Sequence, residues 1–528
     1  MEQPHCRDAH LASAYTTNCE RKKNGMKNIL GRLIIIIPAL AIQTVWYIFM
    51  ISFFREFSTL IASVLTVLAA VMVLYLVSKV DESSYKILWI IIILVMPFFG
   101  ALLYLFWGNK KSSKPMKKRF HRAFRNMNIN VPTDNPVLEK FKDVDRRASQ
   151  TMEYITSITG HPLCLNESAE YYSVGEEMFS AMCEELKKAE KFIFLEYFIV
   201  QDGKFWKGIT EILEEKAAAG VDVRFMYDDF GCISTFTQKD VLNLLTKKIK
   251  VAVFNPLVFV TARLNNRDHR KIMVIDGKTA FSGGINIADE YINERERFGH
   301  WKDVGFRVTG DTVRNYTYMF MEFWNAFSIS KIPSGYLDTQ PLKSGESDGY
   351  VLSYYDSPFY DDPVSNNLFI ELLSQSMDYI WFCTPYLVLG DNLLHAFIRA
   401  AKRGVDVRIM MPGIPDKKMV YRMSRSYYGP LLSAGVKIYE YTPGFLHSKS
   451  CVCDDKFALL GTVNLDYRSL FLHFECSSLF YRASIIADVK RDFEETQTKC
   501  TERTLENEKK TIIKRVADSI LRLFAPLC

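Results

Sequence analysis

One pattern of polar residues occurs twice in the chain, and it sets the main constraint on the fold. With x for any residue, the pattern is H-x-K-x4-D-x6-G-x2-N, and it begins at His269 and again at His447 with identical spacing. The pentapeptide GVDVR also occurs twice, at 220–224 and 404–408. Two copies of both elements in the same order predict a duplicated body. A site between two such halves would draw residues from each.

The segments around these motifs alternate between strand-like and helix-like patterns. The strand-like apolar runs are 191–200, 220–229 and 251–256 in the first half and 378–388, 404–413 and 436–441 in the second. Stretches with apolar residues at helical spacing separate them. This alternation predicts an α/β fold, with two pseudo-symmetric halves that are rich in βαβ units and packed together, and largely parallel sheets.

The residue types in the motif suit transfer of a phosphoryl group. Histidine and lysine two positions apart on an extended segment share a face, which places a nitrogen nucleophile or proton donor beside a cation. With two copies, one histidine would attack and the other would protonate the leaving group. The lysines and asparagines would surround the phosphoryl oxygens. The candidate catalytic residues are His269, Lys271, Asp276, His447, Lys449 and Asp454, and the candidate substrate-binding residues are Asn286 and Asn464.

The two motif aspartates have a second interpretation. Asp276 precedes a glycine and Asp454 precedes Asp455, and both pairs are typical of tight hairpin turns. Both aspartates therefore suit ordering the site as well as reacting. No histidine and carboxylate cluster has the spacing of metal ligands, so the sequence predicts neither a metal nor a cofactor.

The position of the charges argues against nucleic acid as a partner. The chain carries a net charge of +6, but residues 110–125 contain eight cations and no acid. Residues 126–528 consequently sum to −5. A protein that binds a nucleic acid backbone needs a basic groove, and an acidic body does not provide one.

Three apolar stretches precede the basic run, at 33–54, 57–77 and 87–107. Each is about 20 residues long, the length that spans a hydrocarbon core. The sequence predicts a multi-pass protein of the cell membrane with either two or three spans, and the basic run places the following body in the cytoplasm. Eleven cysteines without a CxxC pair suit free thiols in a reducing compartment.

These features divide the chain into six segments. The predicted segments are a basic N-terminal segment (1–32), the membrane segments (33–108), a basic juxtamembrane collar and linker (109–150), the first half (151–340), the second half (341–505) and an amphipathic tail (506–528). In the tail, apolar residues from Ile512 to Phe524 follow a helical stripe. This tail would lie either on the bilayer or on the body.

Longer strings around the motifs resemble a known family. The strings are NNRDHRKIMVIDGKTAFSGGINIADEY (265–291), GHWKDVGFRVTG (299–310), FLHSKSCVCDDKFALLGTVNLDYRS (445–469), HFE (473–475) and RLFAPLC (522–528). Together with the membrane segments, they are similar to the bacterial cardiolipin synthases of the phospholipase D superfamily. The resemblance extends from about residue 30 to the end of the chain.

The resemblance implies a two-step transfer between lipids. One histidine would attack phosphatidylglycerol and release glycerol, and a second phosphatidylglycerol would then take the phosphatidyl group to give cardiolipin. His269 would be the nucleophile and His447 the acid and base, with the opposite assignment left open. Anionic membrane lipids would be the partners.

The resemblance also implies a carboxylate partner for each histidine within its own half. Glu475, which lies 28 residues after His447, matches the family position. The same offset in the first half gives Arg297, so Asp303 is the expected substitute. The alternatives are a hydrolase, a transferase to another alcohol such as serine, a nuclease, and an inactive scaffold.

Overall fold

The computed structural model describes residues 58–79, 82–108, 114–127, 135–256, 265–338, 347–508 and 511–527. Contacts divide the chain into two units. One comprises residues 1–110 and 256–264, and the other comprises 111–255 and 265–528.

The α-helices of the described residues are numbered along the chain. They are α1 (Ser58–Ser78), α2 (Ser83–Val95), α3 (Pro97–Leu103), α4 (Lys114–Met127), α5 (Pro136–Val144), α6 (Arg146–Thr159), α7 (Gly175–Lys187), α8 (Lys204–Ala218), α9 (Gln238–Thr246), α10 (Thr312–Phe327), α11 (Val364–Gln375), α12 (Asp391–Lys402), α13 (Lys418–Ser426), α14 (Tyr428–Ser433), α15 (Tyr467–Phe471), α16 (Ile485–Gln497) and α17 (Ile512–Leu523). Short π- or 3₁₀-helical segments occupy Tyr104–Gly108, Asp289–Ile292, Ser334–Leu337 and Ala525–Leu527.

The strands are numbered in the same way. They are β1 (Cys164–Leu165), β2 (Ser168–Tyr172), β3 (Phe192–Tyr197), β4 (Asp222–Asp228), β5 (Lys250–Phe254), β6 (Ile272–Ile275), β7 (Thr279–Gly283), β8 (His300–Lys302), β9 (Gly305–Thr309), β10 (Tyr350–Asp356), β11 (Tyr379–Cys383), β12 (Asp406–Pro412), β13 (Lys437–Tyr441), β14 (Gly444–Leu446), β15 (Ser450–Cys453), β16 (Phe457–Gly461), β17 (Glu475–Tyr481) and β18 (Cys500–Arg503).

The N-terminal unit contains α1 to α3. Pro97 starts α3 directly after Met96, where the helical conformation of α2 ends, as expected for a residue that cannot continue a helix. Among the described residues, no helix is both long and apolar enough to cross a membrane. The first apolar stretch, 33–54, lies outside the described residues. The two or three membrane spans therefore stay a prediction.

The larger unit is built on two sheets with the same strand order. The first sheet runs β2-β9-β7-β6-β3-β4-β5. The second contains the matching series β10-β17-β16-β15-β11-β12-β13, extended by β1 at one edge and β18 at the other. This correspondence confirms the duplicated α/β fold with two halves.

The prediction of largely parallel sheets was wrong. Only β3-β4-β5 and β11-β12-β13 pair in parallel, and the remaining neighbours in both sheets are antiparallel. The reason lies in the motif region, which forms a β6-β7 hairpin in one half and a β15-β16 hairpin in the other. A hairpin joins antiparallel strands, whereas only crossover connections give parallel ones.

Two hydrophobic cores hold this unit together. The first core includes residues of both sheets and of the helices α10 and α16. Twelve of the sixteen residues of α10 are buried. The basic helix α4 docks here, because Phe120 contacts Phe323 with 4.7 Å between ring centroids. The second core packs α5, α6, α11 and α12 with residues of the second sheet. The first core therefore joins the two halves along a shared apolar interface.

Candidate active site

The backbone places each motif histidine against the other half. The N–H of His269 donates to the carbonyl of Phe474 at 2.9 Å, and the N–H of His447 donates to the carbonyl of Lys302 at 2.7 Å. Around His447 the contact is a parallel ladder between β14 and β8. Around His269 it is a single parallel bridge from Asp268 to Phe474.

A carboxylate follows each of these carbonyl groups, so the histidine–carboxylate pairs cross between the halves. His269 Nδ1 lies 2.8 Å from Glu475 Oε2, and His447 Nδ1 lies 2.6 Å from Asp303 Oδ2. The expectation that each histidine would find its carboxylate in its own half was therefore wrong. The physical reason is that the backbone next to each carboxylate, at Lys302 and at Phe474, is hydrogen-bonded to the motif histidine of the opposite repeat.

The strand register makes Asp303 and Glu475 equivalent positions. Gly283 pairs with Gly305 in the first half, and the matching Gly461 pairs with Ser477 in the second. Each carboxylate lies two residues before its paired position. The first half has a connection six residues longer, which is why a fixed offset leads to Arg297. That arginine instead binds Glu290, with 2.7 Å between Nη1 and Oε1.

The two motif lysines are buried beside the histidines. The two residues are 1% and 3% exposed, and each ammonium donates to the carbonyl of the histidine two positions earlier, Lys271 to His269 and Lys449 to His447. Burial lowers the pKa of Lys271 to about 8 and that of Lys449 to about 7. The site therefore concentrates cationic groups that an anion would stabilise.

Burial also changes the charge of the histidine pairs. It lowers the pKa of His269 and of His447 well below the ordinary value, and Lys271 and Lys449 add to this effect. Burial raises the pKa of Asp303 to about 6 and that of Glu475 to about 8. The two motifs meet at Glu475, since Thr462 of the second motif binds this carboxylate and His269 of the first motif binds it too.

The motif aspartates bind backbone rather than the histidines. Asp276 accepts from the N–H groups of residues 190, 191 and 192 at 2.7–2.8 Å, just before and at the start of β3. Asp454 accepts from residues 377, 378 and 379 at 2.7–2.9 Å in the same place before β11. Both aspartates have positive φ angles in hairpin turns. The structure thus places both carboxylates at the hairpin ends, where each fixes the turn to a neighbouring strand.

The asparagines follow the motif hairpins and are both buried. Asn286 accepts from the N–H of Ile199 at 3.0 Å and donates to the hydroxyl of Tyr291 at 2.8 Å. The Oδ1 atom of Asn464 is buried without a hydrogen-bond partner among the described residues. The amide of Asn286 thus already holds protein groups, whereas Asn464 presents an unused acceptor.

The residue after each motif glycine makes the two halves unequal. Thr462 Oγ1 donates to Glu475 Oε2 at 2.5 Å. At the matching Gly284, an added Cβ would lie 2.1 Å from Asp303 Oδ1, so this position has no room for a side chain. Asp303 instead accepts from the N–H of Val304 at 2.9 Å. The His269–Glu475 pair therefore has a hydroxyl donor, and the His447–Asp303 pair has a backbone donor.

Aromatic rings enclose both histidines, and the sequence pattern did not single them out. Phe198 contacts His269 edge to face, with 5.0 Å between ring centroids. Tyr291, Trp301 and Phe445 surround His447 at 5.4–5.5 Å. Tyr291 ends the string 265–291, which contains the first motif, and Trp301 lies in the string 299–310. Aromatic residues are too common in this chain to indicate a site by themselves.

The loop before α13 also reaches the site. Asp416 accepts from the hydroxyl of Tyr386 at 2.6 Å, and Lys417 donates to the same hydroxyl at 2.9 Å. Against the larger effect of burial, the charge of Asp416 raises the pKa of His447. The charge of Lys417 adds to burial in lowering the pKa of His269. No sequence motif marked Asp416 and Lys417.

In the part of the chain described here, no three His, Cys, Asp or Glu side chains are grouped closely enough to hold a metal ion.

Comparisons with known proteins agree with this architecture. The family described as "Cardiolipin synthase, PLD-like domain" matches residues 182–298 and 369–497, and the family "Phospholipase_D-nuclease N-terminal" matches 64–109. A cardiolipin synthase of Geobacillus thermodenitrificans is 33% identical over 482 residues, which cover 88% of this chain and 94% of that protein. The chain belongs to the cardiolipin synthase family of the phospholipase D superfamily.

Other members of this family and one solved fold extend the comparison. A cardiolipin synthase of Halalkalibacterium halodurans is 32% identical over 481 residues, covering 89% of this chain and 93% of its own. A crystal structure of phosphatidylserine synthase from Haemophilus influenzae has a TM-score of 0.54 and 16% identity, and covers 72% of this chain and 97% of its own. That likeness supports the fold alone. The chain is an enzyme of the phospholipase D superfamily.

Proposed function

We propose that this enzyme is a membrane-bound phosphatidyl transferase that makes cardiolipin from two molecules of phosphatidylglycerol and releases glycerol. The observation that carries the proposal is the crossed arrangement of His269–Glu475 and His447–Asp303 in one buried site. Each histidine receives a carboxylate on Nδ1, which leaves Nε2 for the reaction. Relatives that are named cardiolipin synthases and match most of the chain support the choice of product.

In the first step, His269 Nε2 attacks the phosphorus of phosphatidylglycerol. A P–N bond forms, the P–O bond to glycerol breaks, and His447 gives its proton to the departing glycerol oxygen. Burial lowers the pKa of His447. The negative charge of a bound phosphodiester and the ionised form of Asp303 would raise that pKa and allow His447 to hold the proton.

In the second step, a head-group hydroxyl of another phosphatidylglycerol attacks the phosphatidyl-histidine. His447 takes the hydroxyl proton, a new P–O bond forms, and the P–N bond to His269 breaks. Both lysines carry positive charge where the phosphoryl oxygens would lie. The buried Oδ1 of Asn464 would accept from a hydroxyl of the incoming head group, since protein groups leave it unused.

The proposal places the enzyme in the cell membrane as a multi-pass protein with a cytoplasmic body. The apolar stretches at 33–54, 57–77 and 87–107 would provide two or three spans. The eight cations of 110–125 would lie on the cytoplasmic side, where anionic head groups attract them.

The test is to supply the purified enzyme with phosphatidylglycerol as its only lipid substrate and analyse the products. We expect cardiolipin and free glycerol in equal amounts, and a loss of at least about 1000-fold in His269→Ala and in His447→Ala. Exposed His395→Ala is the matched control and should keep full activity. Phosphatidic acid as the main product would indicate a hydrolase, and product that forms only after serine is added would indicate a phosphatidylserine synthase. Either result would overturn the proposal.

A donor with a better leaving group separates the roles of the two histidines. A phosphatidyl ester of p-nitrophenol needs no proton on its leaving group, so an enzyme without the acid can still be phosphatidylated. We expect His447→Ala to release one equivalent of p-nitrophenol in a burst and then stall, and His269→Ala to give no burst. The reverse pattern would assign the nucleophile to His447.

A further inference from the structure

The C-terminal helix α17 presents its apolar residues to solvent rather than to the body. Ile512, Ile513, Val516, Ile520 and Phe524 are between 42% and 82% exposed. Four of these residues recur at intervals of four, so they form one continuous stripe along the helix. Single exposed apolar residues are common on protein surfaces, but a continuous exposed stripe of them is not. Such a stripe indicates an interaction site.

The opposite side of α17 attaches the helix to the body through a polar contact. Asp518 is buried and lies 3.9 Å from Arg422 of α13. Leu521 packs on the second hydrophobic core, and Ala525, just after the helix, is buried there. Arg522 lies over the ring of Tyr427, with 5.8 Å between the guanidinium carbon and the ring centroid. These contacts fix the rotation of α17, so the outward direction of the apolar stripe is set by the fold.

Most charged residues of α13 and α17 are positive, and one of them, Arg425, is paired with the buried Glu508. Helices α13 and α17 together contain six Lys or Arg residues and one acid, Asp518, which is buried. Lys418, Arg422 and Lys514 are exposed, as is the apolar Met419 on α13. An apolar stripe bordered by cations is the pattern of a helix that lies in the interface of an anionic bilayer. A second copy of this chain would bring the same cations against each other and is disfavoured.

Helix α13 connects this surface to the active site. The loop before it is bound to the strand that leads to His447, because the N–H of Ile414 donates to the carbonyl of Gly444 at 3.1 Å. Lys417 and Asp416, directly before α13, hold the hydroxyl of Tyr386. Since α13 has nine residues, it is about 14 Å long. The loop at 414–417 is therefore both a border of the site and the beginning of the exposed surface.

We propose that the exposed faces of α17 and α13 form a docking surface for an anionic lipid bilayer, and that this contact holds the rim of the active site at the head-group layer. We call this set the C-terminal docking surface, formed by Met419, Ile512, Ile513, Val516, Ile520 and Phe524. The surface provides a route by which a lipid reaches buried histidines without leaving the bilayer completely. This role in delivery rests on the proposed function, whereas the contact with lipid does not.

Photo-crosslinking of the full-length enzyme in vesicles tests the contact. The photoreactive residue p-benzoylphenylalanine is placed at position 520 or, as the matched control, at position 377. Met377 is 73% exposed and directly precedes β11, whereas the loop at 414–417 follows β12. Because β11 and β12 are parallel neighbours, Met377 and this loop lie at opposite ends of the strands. We expect lipid adducts at position 520 to exceed those at 377 by at least five-fold in vesicles with anionic lipid, and to decrease in purely zwitterionic vesicles.

Each outcome decides for or against the docking surface. Equal lipid adducts at positions 520 and 377, or adducts at 520 that join two copies of the chain, would overturn the inference. A double variant, Ile513→Asp with Val516→Asp, should reduce the lipid adducts at 520 by at least five-fold, while Met377→Asp leaves them unchanged. The readout requires no turnover, so a failure of cardiolipin synthesis and a failure of docking are seen separately.

Discussion

Glu475 and Asp303 each contact the Nδ1 atom of a histidine, which in the proposed mechanism determines which ring nitrogen carries a proton. In its ionised form, a carboxylate beside Nδ1 holds the proton there and leaves Nε2 as a base or nucleophile, and it also stabilises the imidazolium when one forms. Because the pairs cross, the reactivity of each motif depends on a residue of the other half. An amide of the same shape would keep the packing but remove the charge.

We therefore expect Glu475→Gln to lower kcat by about 10- to 100-fold, while KM changes by less than about threefold. Asp303→Asn should have an effect of the same order through His447. The exposed Glu494→Gln is the matched control and should have the activity of the unchanged enzyme. Steady-state kinetics with phosphatidylglycerol measure both constants. An increase in KM at constant kcat would show instead that Glu475 contributes to binding.

The buried lysines predict how activity depends on pH. Burial lowers the pKa of Lys449 to about 7 and that of Lys271 to about 8. As pH rises through these values, the free enzyme loses the positive charges that attract a phosphodiester. The value of kcat/KM, which reports the pKa values of free enzyme, should then fall at least about tenfold between pH 8 and pH 9.

Lys449→Arg provides the matched variant, because arginine stays charged at these pH values. Where this variant retains activity, its alkaline decline should begin about one pH unit later, with Lys271 as the remaining group that loses charge. A wild-type kcat/KM that is constant from pH 7 to pH 9 would contradict the assignment of the lysines to the phosphate.

At the scale of elements, the two motif hairpins are fixed by their aspartates. Each carboxylate accepts from three successive backbone N–H groups of a neighbouring strand. Such charge-assisted hydrogen bonds hold the hairpin in register with the strand that it adjoins. The histidine and lysine precede the hairpin strand directly, so the aspartate positions them from a distance.

Asp454→Ala should therefore reduce stability more than catalysis. Three backbone donors would lose their acceptor, which predicts a free energy of unfolding lower by about 2–4 kcal/mol. The kcat of the folded fraction should stay within about threefold. Asp202→Ala is the control, because this exposed aspartate pairs with Lys207 at the surface and should cost less than about 1 kcal/mol. Thermal unfolding together with kcat separates these effects, and a large loss of kcat at unchanged stability would indicate a catalytic role.

The sequence predicted the positions of the strands better than their directions and pairing. The runs that became β3, β4 and β5 are short and mostly apolar, and the predicted bounds agree within a few residues. The direction of the motif strands was missed, since a short apolar run does not reveal its neighbour. For the same reason nothing in the sequence indicated that β1, Cys164–Leu165, would pair with β10 of the second half.

At the scale of the whole molecule, the repeat identified the histidines and lysines but not their partners. Identical spacing between two motifs is visible in the sequence, because the motif residues are close along the chain. The pairing of His269 with Glu475 spans 206 residues and depends on how the two sheets meet. In addition, the first half has six more residues between its motif and Asp303 than the second half has before Glu475. Counting the same number of residues from each histidine therefore does not find both carboxylates. Long-range pairing across an interface therefore had to come from the structure.

The crossed pairs predict that one chain contains one complete site. In the described structure, both His269–Glu475 and His447–Asp303 close within a single chain, and the first hydrophobic core joins the same two halves. Two inactive chains that carry different histidine substitutions should then fail to restore each other, because neither chain contains both histidines.

Co-expression of His269→Ala with His447→Ala, followed by purification through different tags, tests this expectation. We expect activity no higher than that of either variant alone. If the halves were exchanged between chains, each mixed dimer would contain one intact site of two, so the mixed dimers would have about half of the wild-type activity. The control is wild type co-expressed with His447→Ala, whose activity should follow the share of wild-type chains. Recovery in the first mixture with this control behaving as stated would mean that the crossed contacts form between two chains.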